Sequence, residues 1–154
     1  MTHADKNTHL PSTDVGTLVP VTVNYDDLDS MGMLHNSRYM PLVERAWVTY
    51  WGDRGFIGES GLVGDAFNFV KTFTITFDLP VRKFGEFAVH LWMERVGNTS
   101  STAGYRVCSA DGDTTYAHGS RTIVCIDAAT LTPTPWSDRV RKAAQALEAP
   151  HGAA

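Results

Sequence analysis

The sequence predicts an α+β protein in which one long helix packs on a curved, five-stranded antiparallel sheet. One segment carries apolar residues at helical spacing, and several other runs carry them at alternate positions, separated by turn signals. The apolar face of a helix must lie against another apolar surface. We therefore expect the strands to form one sheet that wraps the helix.

The composition is that of one globular domain. Of the 154 residues, 43% are hydrophobic and 10% are aromatic, which is enough for a buried core. We expect residues 1–15 to form a disordered polar tail and residues 16–149 to form a single domain. The sequence has 13 basic and 17 acidic residues, and the basic residues form no cluster that would bind nucleic acid. Because neither a membrane span nor a signal peptide is evident, we expect a cytoplasmic protein.

The first strand and the long helix come early in the chain. The strand begins near Leu18 and has valines at alternate positions on one face. A helix is predicted over residues 37–52 from apolar residues that recur every three or four positions, namely Tyr39, Val43, Ala46, Trp47, Tyr50 and Trp51. Pro41 falls in its first turn, where a missing N–H costs little. Gly52 and Gly55 predict its end.

Four further strands follow a glycine-rich loop. They are predicted at residues 67–79, 86–96, 101–110 and 114–127. In the first of these strands one face is predicted to carry Phe69, Phe73, Ile75 and Phe77. A proline-rich break then precedes a short C-terminal helix, for which Ser137 is the expected N-cap.

Polar residues gather between the first strand and the long helix, in DSMGMLHNSRYM, residues 29–40. Asp29 stands three positions before Gly32 and seven before Asn36, so one tight loop joins the acid to the start of the helix. On composition alone, the three acids Asp26, Asp27 and Asp29 would only cap and solvate a turn.

Three segments resemble hotdog-fold acyl-CoA thioesterases of the 4-hydroxybenzoyl-CoA thioesterase type. They are VNYDDLDSMGMLHNSRYMPLVERAWVTYW, FDLPVRKFGEFAVHLWMERVGNTSSTAGYRV and GSRTIVCIDAATLTPTP, and the resemblance spans roughly residues 18–145. It implies the hotdog fold, with one long central helix wrapped by a five-stranded antiparallel sheet. It also implies an enzyme that hydrolyses a thioester to a free acid and CoA. CoA would be part of the substrate, with no further cofactor.

The resemblance places the catalytic acid at Asp29 and the amide that binds the thioester carbonyl at Asn36. The carboxylate would attack the thioester or activate a water molecule, and both routes stay open. Free N–H groups at a helix start would stabilise the resulting oxyanion. Gly32, His35 and Tyr39 would support the site, while the Asn36 side chain is also a candidate N-cap.

Other parts of the site are expected to come from a partner chain, because hotdog domains usually pair edge to edge. Phe67 and Asn68 are the candidate wall of the substrate pocket. By the resemblance, the turn at Asn98, Thr99 and Ser100 is the candidate CoA site, with Arg82 and Lys83 as the second choice, and a merely solvated turn is the alternative for both. We expect a homodimer that pairs further into a tetramer.

Two other functions remain open at this point. The same fold could release acyl or polyketide chains from a carrier protein, or bind acyl-CoA without turnover. No motif for a metal site, a phosphate-binding loop or a serine nucleophile occurs in the sequence.

Overall fold

The computed structural model describes residues 10–62 and 64–149. Most of the predicted N-terminal tail lies outside these residues. Within them, neither helix has the length and hydrophobicity needed to cross a membrane. The elements in chain order are β1 (Thr17–Val23), α1 (Tyr39–Asp53), β2 (Ile57–Gly58), β3 (Gly61–Leu62), β4 (Asn68–Phe73), β5 (Thr76–Phe77), β6 (Gly85–Val96), β7 (Ser100–Ser109), β8 (Thr115–Cys125) and α2 (Asp138–Gln145).

The strands form one antiparallel sheet that packs against α1. Its strand order is β1-β6-β7-β8-β4, and the short β5 also pairs with β8, while β2 and β3 form a separate hairpin. The predicted helical stripe is buried from Tyr39 to Trp51, against alternate sheet residues such as Phe87, Val89 and Leu91. The prediction of one long helix on an antiparallel sheet is therefore confirmed.

The predicted helix boundaries are close to those observed. A 3-10 turn at Asn36–Arg38 leads directly into α1, which ends at Asp53. Pro41 lies in the first turn of α1, as predicted. Ser137 caps α2, because its hydroxyl oxygen accepts a hydrogen bond from the Val140 N–H at 3.2 Å.

The predicted strand at residues 67–79 is interrupted. It divides into β4 and β5, and the pairing of β4 with β8 shifts by one residue between Val70 and Thr72. Such a bulge reverses the alternation of side chains along a strand. Val70 and Phe73 consequently pack against the core, whereas the Phe69 side chain is 46% exposed. The prediction that Phe69 shares a face with Phe73 is wrong for this reason.

Candidate active site

The loop between β1 and α1 is held in place by Asp27. One oxygen of its carboxylate accepts a hydrogen bond from the Asn24 N–H at 2.8 Å, and the other lies 3.8 Å from Nε of Arg38. Its carbonyl oxygen accepts a hydrogen bond from the His35 N–H at 3.0 Å. Because Asp27 is only 6% exposed and its carboxylate is already bonded, it shapes the loop and does not face a substrate.

Asp29 lies in the following turn and is half-buried. Its Oδ1 accepts hydrogen bonds from the N–H groups of Met31 at 2.8 Å and Met33 at 3.1 Å. The Gly32 N–H donates a hydrogen bond to the Asp29 carbonyl at 3.0 Å and so closes the turn. The φ of Gly32 is 75°, a value that favours glycine. No described residue donates a hydrogen bond to Oδ2. Asp29 therefore has one anchored oxygen and one that is free of protein donors.

A cavity of about 380 Å³ opens beside this turn. It brings together four of the predicted site residues, Asp29, His35, Asn36 and Tyr39. Its opposite wall is the segment from Phe77, the last residue of β5, to Pro80. The predicted acid and the predicted carbonyl-binding amide thus line one cavity.

His35 is the residue that caps the helical segment. Its backbone is extended, with φ −64° and ψ 140°, and its Nδ1 accepts a hydrogen bond from the Ser37 N–H at 3.1 Å. The predicted N-cap role of the Asn36 side chain is wrong, because Asn36 already belongs to the first helical turn and the cap must precede it. As expected for that turn, the Asn36 N–H donates to no described residue.

Tyr39 is a buried residue that lines the same cavity. Its side chain is buried, and its ring meets that of Phe77 edge-on with 5.0 Å between centroids. Burial raises the pKa of Tyr39 above its ordinary value, and a hydrogen bond with the Val81 backbone offsets part of that rise. The phenol therefore stays protonated at neutral pH.

A second acid in the cavity was missed by the sequence analysis. Asp78 lines the opposite wall, and its Oδ2 accepts a hydrogen bond from Nδ1 of His118 at 2.7 Å. The Asp78 side chain is 10% exposed and that of His118 is 25% exposed. No local motif could have revealed this pair, since 40 positions separate the two residues and only the pairing of β5 with β8 joins them.

The remaining predicted residues lie away from this cavity within one chain. Asn68 is the first residue of β4 and Phe67 precedes it, and the Asn68 Nδ2 donates to the Ala66 carbonyl at 2.7 Å. The turn from Asn98 to Ser100 joins β6 to β7, at the end of β6 opposite the one that pairs with β1 near Asp29. Their roles in substrate binding stay predictions.

Comparison with known proteins gives the family. The family model that describes the thioesterase superfamily matches residues 31–116 of this sequence, which is more than half of the chain. The chain belongs to the thioesterase superfamily. It is a thioester hydrolase, and this agrees with the prediction. No curated protein sequence matches it.

Solved structures of similar architecture confirm the predicted hotdog fold. The PA5185 protein from Pseudomonas aeruginosa has a TM-score of 0.78 at 22% identity, covering 88% of this chain and 93% of that one. A proposed thioesterase from the same organism, PA2801, has a TM-score of 0.74 at 25% identity, covering 82% and 95%. A proposed acyl-CoA thioesterase from Xanthomonas campestris has a TM-score of 0.66 at 28% identity, covering 80% and 99%.

Proposed function

We propose that this thioester hydrolase acts on acyl-CoA and that Asp29 is its nucleophile or general base. One observation carries the proposal: Asp29, whose Oδ2 accepts no hydrogen bond from a described residue, and Asn36, whose N–H donates to none, line one cavity at the start of the helical segment. The similarity to the Xanthomonas campestris protein, at 28% identity, supports acyl-CoA as the substrate class. The 4-hydroxybenzoyl-CoA type suggested by the sequence is one member of that class.

Two chemical routes fit the geometry around Asp29. In the first, Oδ2 attacks the thioester carbonyl carbon, the C–S bond breaks, and water then hydrolyses the resulting anhydride. In the second, Oδ2 takes a proton from a water molecule, whose oxygen attacks the same carbon and expels the thiol. The N–H groups of Met31 and Met33 hold Oδ1 in either route, so Oδ2 keeps a fixed orientation.

Both routes place negative charge on the thioester carbonyl oxygen. The Asn36 N–H is the donor proposed to stabilise that oxygen, because it has no acceptor among the described residues and begins the helical segment that continues through α1. His35 supports this donor by capping the same turn. Tyr39, buried and protonated, lines the same cavity.

The proposed dimer forms through the free edge of β4. The sheet has two edge strands, β1 and β4, and the β1 edge carries Pro20, which lacks a backbone donor. The β4 edge has no proline and exposes Phe69. Two β4 edges paired antiparallel about a two-fold axis would bring Asn68 of one chain toward the Phe77 end of its partner. Phe67, Asn68 and the Asn98–Ser100 turn are proposed to complete the pocket and the CoA site in this way.

The experiment that tests this function measures thiol release from short, long and aromatic acyl-CoA substrates. We expect the parent protein to hydrolyse at least one of them, and Asp29→Asn to lower kcat by about 10²–10⁴-fold. Asp26→Asn is the matched control, because Asp26 is an exposed acid three positions away. The same loss in both variants, or full activity in Asp29→Asn, would exclude Asp29 as the catalytic acid.

The same assay separates the two alternative functions. Hydrolysis of carrier-bound but not CoA-bound thioesters would identify a carrier-protein hydrolase. Tight acyl-CoA binding without turnover, unchanged in Asp29→Asn, would identify a binding module.

A further inference from the structure

A buried guanidinium lies on the face of the sheet turned away from α1. Arg106, on β7, is 7% exposed. Its Nε donates to Nδ1 of His90 at 2.9 Å, and its Nη1 donates to Oγ1 of Thr115 at 2.9 Å. His90 in turn donates from Nε2 to the Val15 carbonyl at 2.6 Å. The chain that precedes β1 thus lies over this face, and the guanidinium is held in one orientation.

The positive charge of Arg106 has no acidic partner in the part of the chain that the structure describes. The ion pairs found there are those of Arg38, His118 and Arg121. Both acceptors of Arg106 are neutral groups: Thr115 is a hydroxyl, and the pKa of His90 is lowered by its burial, with a smaller contribution from Arg106 itself. Arginine does not lose its proton in proteins, and a buried cation without a counter-ion is strongly unfavourable.

The free side of the guanidinium faces a cleft of about 320 Å³. Nη2 of Arg106 donates to no described residue, and it lies 3.5 Å from where a Cβ on Gly112 would stand. The cleft is also lined by Ser12, Thr13 and Thr115. The Thr115 oxygen already accepts a bond from Arg106, so its hydroxyl hydrogen is available to the cleft. A fixed cation and several hydroxyl donors therefore converge on one space.

We propose that this cleft binds a phosphate-type oxyanion, at a site separate from the Asp29 cavity. Guanidinium and hydroxyl donors are the groups that phosphate oxygens prefer. The bound anion would supply the counter-charge that no described residue provides for Arg106. The cleft volume accommodates a phosphate carrying an organic substituent as readily as a free one. The proposal does not depend on the activity proposed for Asp29, because the two sites share no lining residue.

One carboxylate in the cleft would repel a bound anion, and its removal therefore tests the proposal. Asp113 lines the cleft and is exposed, and its side chain forms no ion pair with Arg106. We expect Asp113→Asn to tighten binding of inorganic phosphate about threefold, since it removes one negative charge from the lining of the same cleft. Asp53→Asn, an exposed acid at the end of α1, is the matched control and leaves phosphate affinity unchanged.

The measurement is titration calorimetry of the full-length protein with inorganic phosphate at constant ionic strength. We expect saturable binding in the parent, a loss of at least about tenfold in Arg106→Gln, and a smaller loss in Thr13→Val, which removes an exposed hydroxyl without touching the core. The tightening in Asp113→Asn cannot result from misfolding. Absence of saturable binding to the parent, or equal affinity in the parent, Arg106→Gln and Asp113→Asn, overturns the proposal.

Competition distinguishes the two sources of the phosphate group. Displacement of phosphate by CoA, but not by phosphate-free pantetheine, assigns the site to the phosphates of CoA or a related nucleotide. Retention of phosphate in the presence of CoA assigns it to the free anion. Hydrolysis of acyl-CoA by the parent, measured separately, reports on the function proposed for Asp29 and not on this cleft.

Discussion

The two polar clusters of this protein are built in opposite ways. The hydrogen bonds that hold Asp29 reach only two to four residues along the chain. Those around Arg106 join residues 9, 16 and, through His90, 75 positions apart. A cluster of the first kind is formed by a short segment and can change without disturbing the sheet. A cluster of the second kind exists only when strands and the N-terminal segment are assembled. A substitution at Asp29 should therefore change the activity with little change in stability. A substitution at His90 should change the stability.

After Asp29→Asn, the largest effect is expected at the start of the helical segment. Asn36→Pro removes the proposed oxyanion donor while keeping the fold, because proline is well accepted at the first helical position and His35 already has the extended backbone that must precede proline. We expect kcat to fall about 10²–10³-fold with an unchanged unfolding midpoint. Asn36→Ala, which keeps the N–H, should retain activity in the same assay. Equal loss in both variants would mean that the side chain matters and the N–H does not.

A smaller effect should distinguish two neighbouring acids. Asp27→Ala leaves the Asn24 N–H without its acceptor and is expected to lower the free energy of unfolding by about 1–2 kcal/mol. Asp29→Asn keeps an acceptor oxygen for Met31 and Met33, so we expect a change within about 0.5 kcal/mol despite its loss of activity. Urea denaturation of both variants measures the difference. A large destabilisation in Asp29→Asn would show that the turn depends on the charge itself.

The smallest effect concerns pH and the second cluster. The pKa of His90 in the folded protein is lowered from 6.5, chiefly by burial. The imidazole therefore binds a proton more readily in the unfolded chain than in the folded protein. The contribution of His90 to stability is therefore complete above about pH 6.5 and decreases as the pH falls below it. Calorimetric melting between pH 8 and pH 5 should show this decrease in the parent and a shallower one in His90→Gln. Identical slopes would exclude His90 as its source.

Much of the fold could be predicted because its elements carry their own periodicity. The stripe from Tyr39 to Trp51 identified α1, and the alternation in β6 to β8 identified the sheet. The interruption between β4 and β5 could not be predicted, because it depends on how β4 pairs with β8. A bulge is a property of two strands, whereas alternation is a property of one.

The residues of the candidate site also differ in whether they could be predicted from one segment of the sequence. Asp29, His35, Asn36 and Tyr39 were brought together by one loop and one helix start, so sequence spacing was enough to group them. The capping role of His35 was assigned to Asn36, because a helix start is uncertain by one residue in sequence. Two pairs could not be predicted from the sequence, namely Asp78 with His118 and Arg106 with His90. Each pair joins residues that are distant in sequence and are brought together only by strand pairing.

The bulge in β4 also bears on how such enzymes diverge. Lys71 is the extra residue between Val70 and Thr72, and β8 continues through this region without a matching insertion. Deleting that one codon would restore regular pairing and leave Phe69 facing solvent, because Val70 and Thr72 would keep their present partners on β8. The bulge thus lets an edge strand gain or lose one residue in a single genetic step without exchanging its inner and outer side chains. In a strand without a bulge, the same insertion would turn every side chain on one side of it to the opposite face.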